Sequence, residues 1–126
     1  HHFTYSLLPH SHGVVQGGTI EEANALNQPA QVIPGRFPDG GRIVAVDTPA
    51  VQIDAIKKAE DDEAIVVRLH ECRGSRAKFT LRSDYPIQRI VPCNLLEHDT
   101  EEALLQNEVT DVLRPFEIRT YKLYFW

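Results

Sequence analysis

The chain has 126 residues, 42% of them hydrophobic and 25% charged, with a formal net charge of −5. This is an ordinary globular composition, sized for one domain that buries roughly 65% of its unfolded surface. No apolar run approaches the roughly 20 residues of a membrane-spanning helix, and an acidic balance lacks the basic stripe that nucleic acid requires.

In chain order, Phe3, Tyr5 and Leu7 alternate with Thr4 and Ser6, which is strand periodicity. Gly13, Gly17 and Gly18 punctuate a loop, and Thr19-Ile20-Glu21-Glu22 predicts a short capped helix ending near Leu26, with Thr19 as N-cap. Residues 28–41 are rich in Pro and Gly and read as irregular, with a brief extended piece at Gln31 to Ile33. Arg42 to Val46 predicts a strand. Val51 to Lys58 fits period 2 and would tolerate a helix; the flanking runs decide for a strand. Ile65 to Glu71 is β-branched and nearly continuous, as a central strand is. Ala77, Phe79 and Leu81 alternate with Lys78, Thr80 and Arg82, and Gly74-Ser75 before them suggests a hairpin with the preceding strand. Ile87 to Val91 and Val109 to Leu113 predict strands, and Glu101 to Gln106 a loop or one helical turn. In the last strand, Phe116 to Phe125, the apolar phase changes, which calls for a bulge or an edge position. The sum is an all-β chain: an antiparallel β-sandwich of about eight strands with at most one short helix, over residues 1–126 as a single domain.

Chemistry-bearing clusters are few. Asp61, Asp62 and Glu63 form an acidic turn, and adjacent turn carboxylates do not face each other across a sugar ring. Glu97-His98-Asp99 reads as a surface turn. His10 and His12 share a face if the strand extends that far, but a metal site needs a third ligand. Arg73, Arg76, Lys78 and Arg82 read as a solvated face. Cys72 and Cys93, twenty-one positions apart, read as two free thiols in a reducing compartment, with one disulfide as the alternative. Tyr121, Tyr124, Phe125 and Trp126 read as core or domain interface, with a sugar-stacking platform as the rival. The chain has no methionine and shows no signal peptide at its start, as expected of a fragment and of a cytoplasmic protein.

Longer segments carry a resemblance. Lys57-Lys58-Ala59-Glu60-Asp61, Ile65-Val66-Val67-Arg68-Leu69-His70-Glu71-Cys72-Arg73-Gly74-Ser75-Arg76 and Pro92-Cys93-Asn94-Leu95-Leu96-Glu97-His98-Asp99 follow one another in order. Phe3-Thr4-Tyr5-Ser6-Leu7-Leu8-Pro9-His10 precedes them and Pro115-Phe116-Glu117-Ile118-Arg119-Thr120 follows. Together these resemble the C-terminal β-sandwich region of family 38 glycoside hydrolases, the α-mannosidases, in their cytosolic and bacterial branch. His70 stands where that family usually has Tyr, and Cys72-Arg73 where it has a small pair.

The resemblance implies a non-catalytic domain of a retaining, zinc-dependent enzyme that removes terminal α-linked mannose. Zinc and nucleophile are expected in a catalytic domain of the same polypeptide, so no cofactor and no catalytic residue is expected in this chain. Its expected partners are that catalytic domain, the α-mannoside substrate of the intact enzyme and, as an open option, further subunits. The polar turn at His70, Glu71 and Arg73 is the candidate for reaching the substrate pocket, since functional residues favour loops on rigid supports. An independent mannoside-binding module is the first rival reading. A stand-alone enzyme is the second, and would require convergent carboxylates.

Overall fold

A computed structural model describes residues 2–32, 34–35 and 40–126. Ile33, the end of the expected extended piece, and residues 36–39 of the Pro/Gly-rich stretch lie outside the described residues. The chain divides into two compact units, residues 1–38 and 39–126.

In the first unit, helix α1 spans Thr19–Asn27. Its N-cap is Gly18, at φ 70 and ψ 18, and not Thr19. The Thr19 N–H is already donated to the Val14 carbonyl, and Gly18 adopts the left-handed turn that a side chain disfavours. The capping box is therefore replaced by a glycine turn. Glu21 and Glu22 still suit the positive end of the helix. Residues 3–8 form no strand, contrary to the expectation from their alternation.

Among the described residues the second unit holds seven strands: β1 (Ala45–Val46), β2 (Val51–Lys58), β3 (Ile65–Glu71), β4 (Ala77–Arg82), β5 (Arg89–Cys93), β6 (Glu108–Leu113) and β7 (Ile118–Tyr124). They form an antiparallel three-stranded sheet, β1-β4-β6, and an antiparallel four-stranded sheet, β2-β3-β7-β5. Val67, Leu69, Ile90, Tyr121 and Leu123 of the larger sheet share one buried cluster with Phe79, Leu81, Val109 and Leu113 of the smaller. Each such side chain contributes about 1.5–3 kcal/mol by leaving water. This is the expected antiparallel β-sandwich with one short helix.

Three local expectations change. First, β3 and β4 form no hairpin: β3 pairs with β2 and β7, β4 with β1 and β6, so the turn at residues 72–76 crosses from one sheet to the other. Second, β7 is neither bulged nor at an edge. It lies between β3 and β5, with register unbroken from Ile65↔Leu123 to His70↔Ile118. Both of its faces are covered, so Thr120, Tyr121, Lys122 and Leu123 are all buried, and the apparent phase change is two buried faces in succession. Third, the register shift lies in β2, between Ile53↔Leu69 and Ala55↔Arg68, and leaves Asp54 as the extra residue.

Candidate functional site

The end of β3 carries the predicted polar turn. His70 sits on the sheet face away from the shared core, and its Nδ1 lies 2.8 and 2.9 Å from the two carboxylate oxygens of Asp54. The β2 bulge places Asp54 there. Both side chains remain about one-third exposed, at 30% and 39%.

Glu71 behaves differently, being completely buried. Its carboxylate accepts the backbone N–H of Arg73 at 2.8 Å, of Gly74 at 2.9 Å and of Phe116, from the β6–β7 connection, at 3.0 Å. Burial alone would push its pKa up; the amides of Phe116, Arg73, Ser75 and Gly74 outweigh that and hold it below the ordinary glutamate value. Glu71 thus ties two loops together, and the side chains those loops present are half-buried Arg73 and 69%-exposed Phe116.

Phe116 is the residue that sequence reasoning missed. Arg114 to Glu117 is a turn closed by the Glu117 N–H donating to the Arg114 carbonyl at 3.0 Å, with Pro115 second and Phe116 third at φ 58. The third position of such a turn favours glycine, and a bulky side chain held at positive φ is a backbone outlier of the kind that gathers at functional sites. The Phe116 ring lies over Gly74, itself at φ 71; a Cβ there would stand 2.9 Å from the Phe116 Cζ. Pro115 followed by a non-glycine residue was the sequence signal available.

Behind this turn the charges are fully paired. The Arg114 N–H donates to the Glu117 carboxylate at 2.8 Å, and the Arg119 guanidinium donates to Glu117 at 2.8 Å and to Asp111 at 2.9 Å. The Arg114 amide, then Arg119, hold the Glu117 carboxyl down at about 2. The buried Tyr121 hydroxyl donates to Asp111 at 2.8 Å; burial, then that carboxylate, push its pKa up.

A second cluster lies on the outer face of β7. Lys122, 9% exposed at its side chain, is held by Asp99 and, at 3.4 Å, by Asp62. The Tyr124 hydroxyl donates to Asp62 at 2.7 Å, and Arg89 stacks on the Tyr124 ring at 3.8 Å. Burial opposes the Lys122 charge, but Asp99, Tyr124 and Asp62 raise its pKa overall. The acidic turn is therefore not wholly solvated: Asp61 and Glu63 are exposed, whereas Asp62 turns inward. Glu97 also turns inward, accepting from Lys57 at 2.7 Å and from the Glu60 N–H at 2.9 Å. Both turns are fastened to the sheet by complementary charge, and Asp62 of one and Asp99 of the other share the Lys122 ammonium.

A third feature lies at the other end of β3 and β7. Ile43, Ile65, Tyr85, Pro86, Phe125 and Trp126 line an apolar hollow of about 380 Å³. Trp126 is 70% exposed, and its ring sits 6.1 Å from that of Phe125. Of the four terminal aromatics, Tyr121 joins the core and Tyr124 the outer cluster, leaving Phe125 and Trp126 to the hollow. Cys72 and Cys93 are free thiols, the former half-buried and the latter buried. Among the described residues no group of three or more His, Cys, Asp or Glu side chains is arranged to hold a metal ion. His10 and His12 gather no third such ligand among the described residues.

Residues 50–121 match the family model described as the glycosyl hydrolases family 38 C-terminal beta sandwich domain. The chain is 33% identical over 132 residues to Alpha-mannosidase 2C1 of Mus musculus, 31% identical over 127 residues to Alpha-mannosidase 2C1 of Homo sapiens, and 29% identical over 133 residues to Alpha-mannosidase G of Dictyostelium discoideum. These alignments take in 98%, 94% and 97% of this chain, which spans 13%, 12% and 12% of the respective relatives.

Proposed function

The chain belongs to the C-terminal β-sandwich domains of glycosyl hydrolase family 38, and on that premise we propose that it braces the catalytic part of a larger α-mannosidase without performing hydrolysis itself. In this reading the whole enzyme removes terminal α-linked mannose with retention. The zinc and the nucleophile that the family implies come from the catalytic part of the same polypeptide. Three relatives that bear the name alpha-mannosidase and run far beyond the matched region support it. A cytoplasmic location belongs to the same reading and is supported by two free thiols.

The observation that carries the bracing role is the hollow at Ile43, Ile65, Tyr85, Pro86, Phe125 and Trp126. Apolar side chains left open to water gain about 25 cal/mol for each Å² they bury, so the hollow favours a docked apolar surface. It suits a mannoside less well, because a sugar site needs polar groups that fix the hydroxyls and the lining offers chiefly carbon. The polar turn has a separate place in the proposal. His70, Arg73 and Phe116 are its projecting side chains, with Glu71 as the residue that positions the turn, and they face the substrate pocket of the catalytic part.

The test compares hydrolysis of an aryl α-mannoside by residues 1–126 alone, with zinc added, and by the longer polypeptide. Activity in the longer polypeptide alone is expected. Turnover by residues 1–126 would overturn the accessory role.

A further inference from the structure

β2 departs from regular pairing at one residue, and that residue is an acid. The register is regular up to Ile53↔Leu69, and its continuation would set Asp54 opposite Arg68. Opposite charges directly across a ladder attract, so that place would favour Asp54. Ala55 stands there instead, and the Arg68 guanidinium donates to the Thr120 hydroxyl at 3.4 Å and to the Leu95 carbonyl at 3.1 Å. The extra residue in β2 thus withdraws Asp54 from an ion pair and turns it to His70. Bulges that re-aim one side chain are over-represented next to active sites.

Hydrogen-bonding capacity then fixes what His70 can offer. An ionised carboxylate only accepts, and the Asp54 oxygens lie 2.9 and 2.8 Å from Nδ1, so Nδ1 carries the proton that Asp54 holds. The neutral ring keeps a lone pair on Nε2, which is an acceptor. Among the described residues only Nδ1 of this ring is engaged. Across the ladder the ring is flanked by Gln52 on β2 and by Ile118 on β7, the latter 52% exposed. A nitrogen acceptor, an amide and an apolar side chain suit an uncharged, hydroxyl-bearing ligand, and the Asp54 charge disfavours an anion.

We propose that Asp54 is a positioning residue for substrate recognition. It holds His70 as the Nδ1–H tautomer, so that Nε2 accepts a hydrogen bond from a hydroxyl of the mannoside in the pocket that the polar turn faces. Asp54 itself touches no substrate and acts through the imidazole alone, as a carboxylate behind a histidine does when it fixes the tautomer and the ring orientation. The proposal rests on the reading of that turn as part of a longer α-mannosidase.

Two measurements test it, one on each side of that dependence. Nitrogen NMR of the His70 ring in residues 1–126, at about pH 9, should place the proton on Nδ1, and Asp54→Ala should move it chiefly to Nε2. A ring that keeps Nδ1–H without Asp54, or carries Nε2–H beside it, would overturn the positioning. In the longer polypeptide, His70→Phe keeps the bulk of the ring and removes its nitrogens, so kcat/KM for an aryl α-mannoside should fall about 10-fold. Asp54→Ala should lower it about 5-fold, and the double variant should be no worse than His70→Phe, because Asp54 acts only through the imidazole. An Asp54→Ala loss that persists undiminished beside His70→Phe would overturn the proposal. A tautomer fixed as expected, with both single variants hydrolysing at the parent rate, would sink the contact with the sugar. No hydrolysis by the longer polypeptide would overturn the enzyme reading and that contact together, while the NMR result would still decide whether Asp54 fixes the ring.

Discussion

Replacing Glu71 with alanine removes a carboxylate that accepts backbone N–H groups, those of Arg73, Gly74 and Phe116 at 2.8–3.0 Å among them. Hydrogen bonds to a charged acceptor are worth about 1.5–3 kcal/mol each. The turns around Glu71 reach solvent, so the freed amides recover part of this from water, and about 1 kcal/mol apiece remains. The expected loss is therefore about 3 kcal/mol, or about 12–24 °C in Tm for a unit of this size. Glu71→Gln keeps one acceptor oxygen but turns an NH₂ toward the amides, and should lose about half as much. Thermal denaturation across pH separates charge from packing. The folded pKa of Glu71 lies below its ordinary 4.5, so its contribution is present above 4.5 and disappears as pH falls through the folded value. The gap between the parent chain and Glu71→Ala should accordingly narrow in acid. A loss under about 1 kcal/mol, or a gap constant down to the acid unfolding limit, would refute the account of Glu71 as a charged anchor.

Glu117, held at about 2 against 4.5 when free, contributes about 3 kcal/mol that is present above pH 4.5 and lost as pH falls toward 2; Glu117→Gln should flatten acid unfolding in that window. Gly74→Ala meets both a positive φ and the Phe116 ring, and should lose about 2 kcal/mol by urea titration. Adding Phe116→Gly should recover the steric part, and Phe116→Gly alone should raise Tm slightly by relieving its own φ of 58, so a fall in Tm would show that the ring supports the fold. Lys122→Met leaves Asp62 and Asp99 facing an apolar side chain and should lose about 1–3 kcal/mol at neutral pH. Because the Lys122 pKa is raised, its contribution is present below 10.5 and vanishes as pH rises through the folded value, so parent and variant should converge in strong alkali.

The strands that could be read in the sequence are those whose periodicity answers to a single buried face. β4 alternates without exception, and Ala77, Phe79 and Leu81 do face the core. β2, β3 and β4 coincide with the predicted runs to the residue. Period-2 logic misjudged β7 because it lies in the middle of a sheet covered on both sides, where polar Thr120 accepts from Arg68 of the neighbouring β3 and polar Lys122 is paired by Asp62 and Asp99 from loops distant in sequence. It misjudged the β3–β4 link as well, since Gly74-Ser75 fits a hairpin or a crossing between sheets equally, and Glu71, reaching Phe116 forty-five positions away, supports the crossing. Residues 3–8 are the converse case: the alternation is present and no strand forms. At the candidate site, His70 and Arg73 were legible as polar residues on a turn. The bulge that aims Asp54 at His70, and the left-handed Phe116, are consequences of tertiary pairing that no local window contains.

β3 and β7 connect the two ends of the sandwich that the proposed function uses. Their ladder runs unbroken from Ile65↔Leu123, beside the apolar hollow, to His70↔Ile118, beside the polar turn, and both strands are central in their sheet. At about 3.3 Å per residue the six pairs separate the two features by less than about 20 Å. Core packing on one face and the Lys122 cluster on the other keep that ladder from bending, so the position of one end fixes that of the other. A domain docked through Phe125 and Trp126 therefore has no freedom left in where it presents His70, Arg73 and Phe116. Such rigidity would be wasted on a module that met free mannosides in solution. It is what a brace requires if its far end is to hold a loop against a neighbouring active site, and the strain kept at Phe116, offset by the buried Glu71 carboxylate, sits at that far end.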